Sequence, residues 1–135
     1  MASMLERITL VENLLHGEVL LVAKVWPANT VRKTIPVNSG GCVEIGATEF
    51  CMGDINPEVF PTIWIYVDGF NTGRFLQPTD FVSYGKIKIS LDENSGEIKL
   101  SGVKARLTDL GRIRCLSWFF GRPSYWNDRE EEIIV

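Results

Sequence analysis

The stretch KIKISLDENSGEIKLS, residues 86–101, decides the fold class. Ile87, Ile89 and Leu91 alternate with Lys86, Lys88 and Ser90; after the loop Ile98 and Leu100 alternate with Glu97, Lys99 and Ser101. A four-residue loop, Glu93-Asn94-Ser95-Gly96, sets Asp92 opposite Glu97, Leu91 opposite Ile98 and Ile89 opposite Leu100. Every apolar side chain then falls on one face. Gly96 closes the loop, where a residue without Cβ takes the left-handed conformation at no steric cost. Strands with one apolar and one polar face belong to an antiparallel sheet covered on one side. The hairpin therefore predicts an all-β protein.

The rest of the chain reads in the same way. Residues 19–26 are a strong strand ended by Pro27. Residues 31–37 follow, with Pro36 placing them at a sheet edge. Residues 42–45 and 49–52 are short strands or one bulged strand broken at Gly46, and 62–67 is β-branched and aromatic throughout, as in a central strand. Residues 68–73 read as a loop and 74–76 as the start of a return strand. Residues 81–84, 103–107 and 113–120 complete the set, and 133–135 read as a short terminal strand. Residues 13–17 read as a hairpin connection after a weakly alternating 7–11. Helical spacing of Leu5, Ile8, Val11 and Leu15 offers an alternative for the first fifteen residues, against the strand-like Ile8-Thr9-Leu10-Val11. Eight to ten short strands with Gly and Pro turns imply an antiparallel β-sandwich, with a closed β-barrel as the alternative. Lys and Arg on outward positions, without regular glycine corners, favour the sandwich.

A chain of 135 residues is expected to form one domain, 1–135, and to bury about two-thirds of its unfolded surface. With 45% apolar residues it is not disordered in general. No apolar run approaches the ~18 residues of a spanning helix. The N-terminus lacks the pattern of a cleaved secretory signal, so the expected location is cytoplasmic, or outside the cell by export without such a signal. Cys42, Cys51 and Cys115 are an odd set without metal-ligand spacing and are expected to be free thiols; a Cys42–Cys51 bridge is the lesser alternative.

Net charge is −3, which argues against a protein built chiefly to hold polyanions. Charge is uneven, however: from residue 98 to 127 six bases, Lys99, Lys104, Arg106, Arg112, Arg114 and Arg122, face one acid, Asp109. No catalytic residue is nominated. His16 is the sole histidine and has no partner by spacing, and Cys42 has no neighbouring base to lower its pKa. No zinc spacing, EF-hand loop or phosphate loop is present, so neither metal nor cofactor is expected.

Two aromatic features stand out. Phe70 sits in the polar loop Asp68-Gly69-Phe70-Asn71-Thr72-Gly73, where Asp68 and Asn71 offer the donors and acceptors that sugar hydroxyls need. Near the C-terminus Trp118-Phe119-Phe120-Gly121-Arg122-Pro123-Ser124-Tyr125-Trp126 is the densest ring cluster; Gly121 and Pro123 bend it, so its rings point in different directions. The expected ligand-binding residues are Asp68, Phe70, Asn71, Arg122, Tyr125 and Trp126. Trp64 and Trp118, inside apolar runs, are expected in the core.

No family motif is legible; size, acidic balance and tryptophan content are similar in general character to small fungal β-sandwich lectins and lipid-binding cytolysins, a likeness of fold class alone. The leading expectation is a non-enzymatic recognition module that binds a glycan or membrane-surface ligand through aromatic loops. An assembly component of a viral or other large particle ranks second: a protein partner or a homo-oligomer would dock on edge strands and the apolar C-terminus. Single-stranded nucleic-acid binding through the basic, aromatic C-terminal third ranks third.

Overall fold

The structure is a computed structural model that describes residues 7–25, 28–50, 61–104 and 130–133. Among the described residues nine strands and one short helix follow in the order β1 (Ile8–Asn13), β2 (Val19–Val25), β3 (Thr30–Val37), β4 (Cys42–Gly46), β5 (Thr62–Val67), β6 (Phe70–Leu76), α1 (Asp80–Ser83), β7 (Tyr84–Leu91), β8 (Ile98–Lys104) and β9 (Glu130–Glu132). They form a five-stranded sheet, β4-β1-β7-β8-β9, and a four-stranded sheet, β3-β2-β5-β6. Both sheets are open, which makes the fold a sandwich and removes the barrel alternative.

The deciding hairpin has the register read from its sequence. Leu91 pairs with Ile98 and Ile89 with Leu100. The Asp92 N–H donates to the Glu97 carbonyl at 2.8 Å, and Gly96 has φ 74°. One face of the five-stranded sheet presents Val11, Ile45, Ile87, Ile89 and Leu100 to the interior. The four-stranded sheet answers with Val19, Leu21, Ala23, Ile63, Ile65 and Leu76. Full burial of such side chains stabilises by about 1.5–3 kcal/mol each. At the end where β1 and β7 begin, the rings of Phe50 and Phe81 plug the core, 5.0 Å apart. Each open side of the sandwich is stitched by an ion pair: Lys33–Glu49 between β3 and the turn after β4, and Arg74–Glu97 between β6 and the β7–β8 hairpin.

Several segments differ from their sequence reading. Of residues 81–84 only Tyr84 is strand, as the first residue of β7: Asp80–Ser83 is a helical turn, and the Asp80 carboxylate accepts the Gln77 N–H at 2.8 Å. Its anchor is the buried Thr9 hydroxyl, 2.6 Å from the Tyr84 carbonyl and 3.1 Å from that of Phe81. Residues 13–17 do not join a hairpin. They carry the chain from one sheet to the other, and β1 pairs instead with β4 antiparallel and with β7 in parallel. Parallel pairing is open to β1 because the whole four-stranded sheet intervenes before β7; only tight turns enforce antiparallel neighbours. Residues 8–13 are strand, not helix. Residues 47–50 are a turn rather than the start of a strand.

At the C-terminal side the described strand is the acidic Glu130–Glu132, paired with β8. Ile133 is buried, with its N–H donating to the Leu100 carbonyl at 2.8 Å, and residues 134–135 lie outside the described residues. The outward face of the five-stranded sheet is also less wet than alternation implies. Lys86 is 2% exposed and its ammonium lies 3.3 Å from Glu12 Oε1, so a paired charge is buried where a solvated lysine was expected.

Candidate functional site

Four connections meet at the end of the sandwich opposite the Phe50–Phe81 plug: residues 14–18, 38–41, 68–69 and 92–97. The organiser is Asn13, fully buried at the end of β1. Its Nδ2 donates to the carbonyls of Gly17 and Val37, both at 2.9 Å, and its Oδ1 accepts the Leu15 N–H at 2.9 Å. One side chain thereby ties the β1–β2 connection to the end of β3. Ser39 adds a hydroxyl bond to the Leu15 carbonyl at 2.7 Å. An amide suits this place because two donors and one acceptor must be supplied inside a dry layer.

The loop expected over residues 68–73 is much tighter. Asp68 and Gly69, with φ 51° and 85°, are the two central residues of a hairpin turn, and Val67 already pairs with Phe70. Left-handed conformation at both positions gives the type I′ turn whose twist matches the flanking strands. Phe70 is therefore the first residue of β6 and not a loop tip, and it is 77% exposed. Directly after it β6 bulges. The Asn71 Oδ1 accepts the Gly73 N–H at 2.9 Å, and the Thr72 hydroxyl donates to the Ile65 carbonyl at 2.7 Å. These bonds leave the Asn71 amide nitrogen as a donor toward solvent.

The Asp68 carboxylate lies against the β1–β2 connection. A Cβ placed on Gly17 would come within 2.6 Å of its Oδ1, so a glycine is what lets the acid approach. Among the described residues no side chain pairs with this carboxylate. Asp68, Phe70 and Asn71 are thus brought together as the sequence suggested. Arg122, Tyr125 and Trp126 lie outside the described residues, as do Trp118, Cys51 and Cys115. Cys42 is an exposed free thiol at the start of β4.

Leu14, 49% exposed, and Leu91, 51% exposed, crop out at the same end and were not singled out in the sequence. Their signal was faint: Leu91 closes an alternating strand and Leu14 stands beside the buried Leu15, positions that read as core in a one-dimensional pattern. Around these apolar tips the end is acidic, with Glu18, Asp68, Asp92, Glu93 and Glu97 against Arg74 and Lys99. The Asp92 carboxyl is held below the usual range, first by the Asn94 N–H and then by the Ser95 hydroxyl and the Lys99 charge. It therefore keeps its charge to lower pH than an ordinary aspartate.

Trp64 corrects another expectation. Ile63 and Ile65 take the core positions of β5 at 0% exposure, so Thr62, Trp64 and Tyr66 face outward, and Trp64 is half-buried on the outer surface. The apolar run concealed a period of two. No cluster of metal-ligating side chains occurs among the described residues, and no helix there is long and apolar enough to cross a membrane. No protein-family model matches the chain, and neither a curated protein nor a solved structure matches it significantly.

Proposed function

We propose that the loop end of the sandwich is a recognition surface for an uncharged saccharide. The observation that carries this is Phe70: a ring 77% exposed, fixed by a type I′ turn rather than a mobile loop, with Asp68 and Asn71 on either side. A flat apolar ring covers the C–H face of a sugar, while a carboxylate and an amide nitrogen reach the hydroxyls at its rim. Because the turn is rigid before binding, little ordering entropy opposes the contact. The acidic surround speaks against the surface of an anionic membrane, which attracts clustered bases. It does not disfavour a neutral sugar.

The test is a glycan array of neutral and acidic oligosaccharides, run beside liposomes of zwitterionic and of anionic lipid. Binding to neutral glycans that Phe70→Ala and Asp68→Asn each abolish, with melting temperature unchanged, is the expected result. Retention by liposomes alone, or glycan binding indifferent to Phe70, overturns it.

Strand addition at an edge, the assembly reading, has β3 in its favour, since the structure places it at the rim of its sheet. Yet every edge carries a device that discourages pairing. β3 holds Pro36, Arg32 and Lys33 and faces a bulge at Ala23/Lys24. β6 bulges between its pairings with Trp64 and Tyr66, β4 is five residues long, and β9 is three glutamates. The loop end remains the better candidate.

A further inference from the structure

We propose that the outer face of the four-stranded sheet binds single-stranded nucleic acid, with Trp64, Tyr66 and Phe75 stacking on bases and Lys24 and Arg32 meeting phosphates. The site is separate from the loop end. Trp64 lies directly opposite Phe75 on the neighbouring strand, ring centroids 5.1 Å apart and planes inclined by 54°. Tyr66 is the next outward residue of β5, about 6.6 Å further along the strand. Lys24 holds its ammonium 5.0 Å from the Tyr66 ring centre and 2.5 Å from its hydroxyl. A cation and a set of rings are thus side by side on one half-exposed surface.

Charge decides the occupant. The strands of this sheet carry Lys24, Arg32, Lys33 and Arg74 and no acid at all. Lys33 and Arg74 are engaged with Glu49 and Glu97 at the sides of the sandwich. Among the described residues Lys24 and Arg32 meet no carboxylate. The strands of the other sheet hold five glutamates, Glu12, Glu44, Glu130, Glu131 and Glu132, beside four lysines, Lys86, Lys88, Lys99 and Lys104. The four-stranded sheet is thus the one whose strands carry bases alone, a local excess that the net value of −3 averages away. Rings beside unpaired cations fit a polyanion whose flat bases are free to stack; a duplex keeps those faces covered.

The experiment titrates the full chain into a fluorescein-labelled oligodeoxythymidine of about 15 nucleotides, following anisotropy and tryptophan emission. Binding at low salt with tryptophan quenching is expected. Two phosphate contacts give a log–log salt slope of about −1.4, halved by Lys24→Gln. Trp64→Leu keeps apolar cover over the sheet and should weaken binding about 5- to 100-fold with the melting temperature held. Phe70→Ala should leave the titration unchanged, so this surface and the saccharide surface stand or fall separately. A flat titration of folded protein at low salt, as a face that serves a protein partner would give, overturns the proposal. So does affinity that Trp64→Leu and Lys24→Gln both leave intact, or equal affinity for duplex.

Discussion

Asn13→Ala tests the architecture of the loop end most directly. The substitution removes two donors and one acceptor from a site with no solvent exposure and strands the carbonyls of Gly17 and Val37 and the N–H of Leu15. Each buried group left unsatisfied costs about 1–3 kcal/mol. Water entering the space vacated by the amide recovers part of that, so the expected loss is about 3–5 kcal/mol. Against a total stability of about 5–15 kcal/mol this is severe but survivable. With a urea m-value of about 2 kcal/mol per molar, the unfolding midpoint should fall by about 2 M. Asn13→Asp is the internal control. It keeps the acceptor for Leu15 but sets a carboxylate against two carbonyls, which raises its pKa. At neutral pH it should be at least as unstable as the alanine variant, and it should regain stability as the pH falls and the new acid protonates and donates. Equilibrium urea unfolding of the three proteins at two pH values gives the answer. A loss under about 1 kcal/mol for Asn13→Ala would refute the view that this side chain holds the connections together.

Other expectations follow from single contacts. Tyr84, its pKa pushed up to about 12 by burial and then by the Glu131 hydrogen bond at 3.1 Å and the charges of Glu131 and Asp80, stays protonated in the folded protein where the unfolded chain ionises near 10. Its contribution is complete below pH 10 and lost as the pH rises toward 12, about 2–3 kcal/mol; Tyr84→Phe should flatten that part of an alkaline stability curve. Gly102→Ala would put a Cβ 2.4–2.8 Å from the Tyr84 ring and should cost about 1–3 kcal/mol by thermal unfolding. Gly17→Ala meets only the mobile Asp68 carboxylate, so it should leave the melting temperature nearly unchanged while abolishing saccharide binding. Cys42 should react with a thiol reagent in the native protein, and failure to label it without denaturant would contradict its exposure.

Residues 86–101 were legible because a hairpin is local: strand, turn and strand lie within reach of one another, and period-two alternation states both faces and register. Pro36 likewise placed β3 at an edge, since a residue without an N–H has no use for a second neighbour. At the candidate site, Phe70 between Asp68 and Asn71 was legible for the same local reason. The length of its turn was not, because Asp68 reads as a loop residue until its left-handed backbone is seen.

What the sequence determined by itself is therefore what neighbours along the chain decide: strand propensity, turn chemistry, and one ring set among polar residues. Tertiary structure alone decided which strands meet. It set β1 parallel to β7, turned Trp64 outward by giving Ile63 and Ile65 the core, and gathered four distant connections around the buried amide of Asn13. It also left the strands of the four-stranded sheet with bases and no acid, while those of the five-stranded sheet mix four lysines with five glutamates. The reason is physical. Propensity and alternation act over two to four residues, whereas sheet order, facing and burial are fixed by which apolar faces can cover one another once the chain is closed.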